Sequence, residues 1–266
     1  MSYYLGIFGG QGPNPSAALL RDNRLLAVAE EERFTRQKCA PSNLPINAIE
    51  YCLSSANINM EEIVSIGFGW DCPHYAQNSA NFLNKIKARF DATGDRFNAL
   101  HEQRIRIGFD PERIERYLYF GLAKKGISFD SKKLVFLKHH LCHAASTFYA
   151  SDFGEASILT IDGSGEEFTC VLWYGKDGEI EQIKAYELPD SLGGFFGTFT
   201  EFLGFKVDEE EGKLMGLAPY GNYCQDTQNK LSRILNFDKD YTFTEFSIIL
   251  EIFFAIALEF VVVDII

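Results

Sequence analysis

The chain has 266 residues, 46% hydrophobic and 23% charged, with a formal net charge of −12. These proportions suit a globular protein with a sizeable core and exclude collagen-like, mucin-like and low-complexity classes. No clustered run of Lys and Arg occurs, which excludes a nucleic-acid backbone as the main partner.

The N-terminus MSYYLGIFGG lacks a basic leader and a long apolar stretch, so it reads as a first strand rather than a signal peptide. GGQGPNPS follows as a glycine-rich turn, then AALL, a turn at Asp22-Asn23, and LLAVAEEE. Strand, turn, strand, turn, strand is a meander of two hairpins. Residues 45–56 carry Ala48, Ile49, Cys52 and Leu53 at helical spacing, with Pro45 in the first turn. IVSIGFGW, residues 63–70, reads as a buried strand, and the charged stretch 76–125 as helices. KLVFL, residues 133–137, is another strand, and HLCHAASTFYAS suits a helix. A second meander follows: ILTID, a GSG turn, FTCVLWYG, the turn KDG and EIEQIKAYEL. Two meanders separated by helices predict an α/β fold with mixed sheets.

The six cysteines, Cys39, Cys52, Cys72, Cys142, Cys170 and Cys224, form no CxxC pair and read as reduced thiols of a cytoplasmic protein. The final stretch SIILEIFFAIALEFVVVDII is almost wholly apolar. A membrane span, a buried terminal element and a tail foreign to the fold are the readings open to it. Glu251 and Glu259 lie inside it and no Lys or Arg flanks it, which disfavours a span. We read residues 241–266 as an atypical tail, out of frame with the domain 1–240.

Three of the five histidines fall in KHHLCH. On a helix His139 and His143 share one face, a spacing that suits either one metal ion or two packing rings at a helix start. A third ligand is needed, and Asp162, at the end of ILTID, is the best candidate. Gly163 and Gly165 beside it let a metal or phosphate approach closely, although an ordinary Asp-Gly turn has the same sequence. In EGKLMGLAPYG, residues 211–221, a loop would set Lys213 against a phosphate with Gly212 and Gly216 alongside; the alternative is a helix start with a turn after it. The run EEERFTRQK, residues 30–38, reads as a solvated face, or as an anion contact through Arg33, Arg36 and Lys38.

Four blocks in order, SAALL…LLAVAEEERFTRQK, HHLCHAASTFYASDF, LTIDGSGE and EGKLMGLAPYG, resemble the NodU/CmcH-type carbamoyltransferases over residues 3–222. The resemblance implies a Kae1-like domain of the ASKHA superfold, built from RNase H-like halves and incomplete here. It implies a metal, usually iron, on His139, His143 and Asp162, with a further aspartate far downstream. It also implies ATP and carbamoyl phosphate as substrates, a carbamoyl-adenylate made by a YrdC-like domain absent from this chain, and transfer to a hydroxyl of a small molecule or sugar. Pro13 and Asn14 stand where many members have His-Asp. We therefore expect an impaired, truncated transferase; the competing expectation is a non-catalytic metal- or nucleotide-binding fragment that joins a partner chain.

Overall fold

A computed structural model describes residues 2–10, 12–89, 95–232, 235–236 and 242–243. The chain divides into two compact units, Met1–Ser79 with His101–Gly154, and Ala80–Leu100 with Glu155–Ile266. The expected foreign tail lies outside the described residues apart from Thr242 and Phe243, which pair with Leu235–Asn236. Among the described residues no helix is long and apolar enough to cross a membrane.

The first unit is built on β1 (Tyr3–Phe8), β2 (Ser16–Arg21), β3 (Arg24–Glu30), β4 (Ile63–Phe68) and β5 (Leu134–Phe136). They lie in the order β3-β2-β1-β4-β5. β2 runs antiparallel to β1 and β3, whereas β1 pairs parallel with β4 and β4 with β5. This is the RNase H-like arrangement that the resemblance implied. The β2–β3 hairpin turns at Asp22 (φ 47) and Asn23 (φ 64). Both central residues are left-handed, which matches the right-handed twist of the strands, and short polar side chains tolerate it best.

Alternation selects the core face: Leu5 and Ile7 on β1, Ala17 and Leu19 on β2, and Ile66 and Phe68 on β4 are all buried. Each fully buried Leu or Ile contributes about 1.5–3 kcal/mol. A short α1 (Glu32–Thr35) precedes α2 (Ile46–Ala56), which buries Ala48, Ile49, Cys52 and Leu53. The helical stretch after β4 resolves into α3 (Cys72–Arg89), α4 (Asp95–Gly108) and α5 (Pro111–Ala123). Asp110 caps α5 by accepting from the Glu112 amide at 3.0 Å, and Pro111 opens the helix. α6 (His139–Phe148) follows β5.

Glu31 departs from the expected solvated face. It is 2% exposed, and its carboxylate accepts from the Ala48 amide at 2.9 Å, the Asn47 amide at 3.3 Å and Asn47 Nδ2 at 2.5 Å. α2 has no cap of its own at Pro45, so a carboxylate from the preceding strand end meets its exposed N–H groups and its dipole. Replacing Glu31 with Ala strands those donors. We expect a loss of about 2–3 kcal/mol, read as a lower urea midpoint at unchanged m. Of the bases in the same run, Arg33 is engaged with Glu30 at 2.9 Å and Glu32 at 3.4 Å.

The second unit carries the antiparallel sheet of β6 (Glu155–Gly165), β7 (Phe168–Lys176) and β8 (Glu179–Glu187). Asp177 (φ 51) and Gly178 (φ 83) form its second turn. Ile158, Thr160, Val171 and Trp173 share the buried face, and Trp173 Nε1 donates to Thr160 Oγ1 at 3.1 Å. α7 (Leu192–Phe202), α8 (Glu211–Leu217) and α9 (Gln225–Leu231) follow. All six cysteines are free thiols. Burial pushes Cys52 up to about 11, while the Thr227 hydroxyl and backbone amides lower the exposed Cys224.

Candidate functional site

In the first unit, three parallel strands end side by side. β1 ends at Phe8, β4 runs out into Gly69-Trp70, and β5 leads through Leu137-Lys138 into α6. Ligands of open α/β sheets gather at such C-terminal strand ends. Backbone hydrogen bonds tie the ends together: Gly69 N donates to Ile7 O at 3.0 Å, and Leu137 N donates to Phe68 O at 2.9 Å.

His139 is the first residue of α6, and His143 lies one turn on. Their Nε2 atoms are 3.0 Å apart and their ring planes are 86° to each other. Two ligand nitrogens at right angles around a divalent cation, each about 2.1 Å from it, are separated by about 3.0 Å. The pair therefore fits two adjacent positions of one coordination sphere. His139 Nδ1 lies 3.0 Å from Gly69 O. A carbonyl only accepts, so Nδ1 carries the proton and Nε2 is the ring's donor atom for a metal, as in metal-bound histidines generally. His140, on another side of the helix, is 1% exposed.

In the second unit, Asp162 sits where the β6–β7 register slips between Ile161 and Gly165. The sequence reading put a Gly163-Ser164-Gly165 turn there. The strand instead runs on to Gly165 and turns at Glu166-Glu167, with Glu166 at φ 51. Asp162 thus lies in a bulge, which turns a side chain away from the ordinary alternation. Asp162 Oδ1 accepts from Gly163 N at 2.7 Å, and Ser191 Oγ donates to Gly163 O at 2.6 Å. Ser191 also caps α7, accepting from Gly194 N at 2.8 Å. A Cβ on Gly193 would come within 2.4 Å of Asp162 C and Gly163 N, whereas one on Gly163 would meet nothing within 4 Å. Glycine at 193 is what lets α7 start against the bulge.

A cavity of about 460 Å³ opens beside the bulge, lined among others by Asp162, Gly163, Gly194, Glu201, Asp208 and Glu211. The Asp208 carboxyl is held above its usual range, first by loss of solvent and then by the charges of Glu211, Asp162 and Glu209. Of the predicted phosphate-side residues, Gly163 lines this cavity, while Gly165, Gly212, Lys213 and Gly216 do not. EGKLMGL is helical in α8, as the alternative reading had it, and not a loop. Lys213 ion-pairs with Glu210 and lies 5.8 Å from the Phe205 ring centroid. Gly212 and Gly216 face open space.

The family model described as carbamoyltransferase N-terminus matches residues 13–254. The chain belongs to the carbamoyltransferase N-terminus family. It is 33% identical over 208 residues to the nodulation protein NolNO of Sinorhizobium fredii, covering 78% of this chain and 28% of that one. It is 34% identical over 231 residues to the protein sll1178 of Synechocystis, covering 83% of this chain and 35% of that one. The chain thus spans about a third of the length of the curated relatives it matches. Among solved structures, YeaZ from Pseudomonas aeruginosa aligns at 16% identity with a TM-score of 0.35, over 71% of this chain and 68% of that one. Component A of the (R)-2-hydroxyglutaryl-CoA dehydratase of Acidaminococcus fermentans aligns at 13% identity with a TM-score of 0.38, over 97% and 88%.

Several residues of this carbamoyltransferase N-terminus escaped the sequence reading: Gly69 and Trp70 beside His139, and Ser191, Gly193 and Asp208 around Asp162. The glycine after the apolar run IVSIGF and the serine before Leu-Gly-Gly are the local signals that mark them. Asn14, one of the positions that depart from the common family pattern, has φ 57, and its amide donates to Cys39 O at 2.8 Å.

Proposed function

We propose that this chain takes part in O-carbamoyl transfer: the carbamoyl group of a carbamoyl-adenylate, derived from ATP and carbamoyl phosphate, passes to the hydroxyl of a small-molecule or sugar acceptor. The acceptor oxygen attacks the carbamoyl carbon and releases its hydroxyl proton to solvent, the bond to the phosphate oxygen breaks, and AMP departs. Family membership supports the reaction class, and the observation that carries the site is the His139–His143 pair with Nε2 atoms 3.0 Å apart. Asp162 completes the proposed ligand set. Two imidazoles and one carboxylate are the donor set of non-haem Fe(II) centres, which favours iron over magnesium or calcium. A cation held there supplies a Lewis acid for charge on the departing phosphate.

The chain's own residues have definite tasks in this reading. Gly69 holds His139 in the Nδ1–H tautomer. Ser191 and Gly193 hold the backbone that carries Asp162. The cavity beside Asp162 has the volume of ordinary small-ligand sites.

The test is transfer of radiolabel from carbamoyl phosphate to a panel of sugar and aminoglycoside hydroxyls, with the iron-loaded chain and ATP, in the presence and absence of a YrdC-like domain. None of the four motifs carries adenylate synthesis in this reading. We therefore expect no carbamoyl-phosphate-dependent ATP–pyrophosphate exchange by the chain alone, and transfer only when a YrdC-like domain is supplied. Transfer that survives loss of both His139 and His143 overturns the reading.

A further inference from the structure

We propose that Trp70 is a positioning residue that sets the plane of His139 for metal binding; this rests on the metal reading above. The indole packs with its centroid 4.8 Å from that of the His139 ring, the planes tilted by 42°, and Phe8 borders the same ring at 5.8 Å with a tilt of 40°. The hydrogen bond from His139 Nδ1 to Gly69 O fixes one edge of the imidazole. A ring held at one edge still rotates about that bond, and large inclined rings in close contact with it restrict this freedom. Trp70 is itself wedged. Phe109 stacks on it at 5.0 Å, and Tyr75 meets it edge-on at 5.6 Å. Its amide donates to Phe68 O at 2.8 Å, so the backbone under it is tied as well.

A second observation singles this tryptophan out. Trp70 is 9% exposed, and among the described residues its Nε1 is the buried side-chain polar atom without a hydrogen-bond partner. Buried indoles ordinarily satisfy that N–H, as Trp173 does with Thr160. Phenylalanine would fill much of the same space without stranding a donor. The unpaired N–H offsets part of what the larger ring gains by burial, and what the indole adds over a phenyl ring is a broader surface against His139. A residue that serves the site at the expense of the core separates the two effects on substitution.

The test uses the whole chain with Trp70→Phe. Zn²⁺ and Fe²⁺ affinities are measured by competition with a chromophoric chelator, stability by urea unfolding, and the His139 tautomer by long-range ¹H–¹⁵N spectra of the metal-free protein. Residues that orient a ligand typically change metal affinity 10–100-fold. We expect metal binding about tenfold weaker, a urea midpoint close to that of the wild type because the lost burial and the removed unpaired donor offset each other, and loss of the single Nδ1–H signature of His139. Wild-type affinity together with wild-type His139 signals overturns the proposal. So does a midpoint that falls in step with affinity, because Trp70 is then only a packing residue. In a Trp173→Phe background, which leaves Trp70 as the one tryptophan of the chain, biosynthetic replacement by benzothienylalanine keeps the bicyclic plane without the N–H and is compared with that parent. It is expected to retain the parent's affinity, and tests the proposal even if the phenylalanine variant fails to fold. If the wild-type chain binds neither metal, the metal reading itself falls, and the His139 spectra then decide the role of Trp70.

Discussion

Exchange of His139 and His143 together for alanine is expected to abolish stoichiometric uptake of iron or zinc, with affinity falling at least 100-fold by the order of magnitude that ligand-shell changes produce. The check is elemental analysis of protein desalted after metal loading. His143 is exposed and His139 partly so, and neither contributes a large apolar surface to the core. The double variant should therefore stay folded, with a midpoint no lower than that of His139→Ala alone, which separates loss of a ligand pair from loss of the fold. The single variants are not equivalent. His139→Ala also removes the donor to Gly69 O and the ring against Trp70, so it should lower stability somewhat, whereas His143→Ala should act on the metal alone. Unchanged metal content in the double variant would discard the centre.

Gly193→Ala is the second substitution of large effect. The added methyl would lie 2.4 Å from Asp162 C and Gly163 N and 2.5 Å from Asp162 O. All three are backbone atoms, so no side-chain rotation relieves the clash, and either α7 or the bulge must shift. Overpacking of this kind costs about 1–3 kcal/mol or more. The shift moves Asp162, so metal affinity should fall together with the unfolding midpoint. Gly212→Ala is the matched control. It lies in α8, where a Cβ meets nothing within 4 Å, and the helix propensity of alanine should raise stability by up to about 1 kcal/mol. A Gly193→Ala protein with wild-type stability and metal content would show that the start of α7 does not hold the bulge.

The comparison of Gly193 with Gly212 also shows where sequence reading stops. Both are glycines near charged, motif-like stretches, and the Gly-Lys pattern of EGKLMGLAPYG singled out Gly212. Only the three-dimensional neighbours distinguish a glycine that admits a backbone from one that faces solvent. Glu31 gives the same lesson for charge. Inside EEERFTRQK it looks like one acid among several, yet it is buried and caps a helix that begins beyond the next turn. Nothing local encodes that partnership, because the donors are the exposed amides of a helix whose own first residues supply no cap.

By itself the sequence determined the alternation of strands and helices, both meanders, the Asp22-Asn23 turn, the α/β class and the helical pairing of His139 with His143. These are local properties: period-two burial, period-three-to-four burial, and turn residues that accept left-handed backbone. Tertiary structure alone decided that Gly69 and Trp70 from one strand end border a histidine that follows another. It also decided that Asp162 occupies a bulge held by Ser191 and Gly193 rather than a hairpin turn. The reason is physical: parallel pairing of β1, β4 and β5 brings together residues about 70 positions apart in the chain, and no periodicity within a short window carries information about which strand ends will be neighbours.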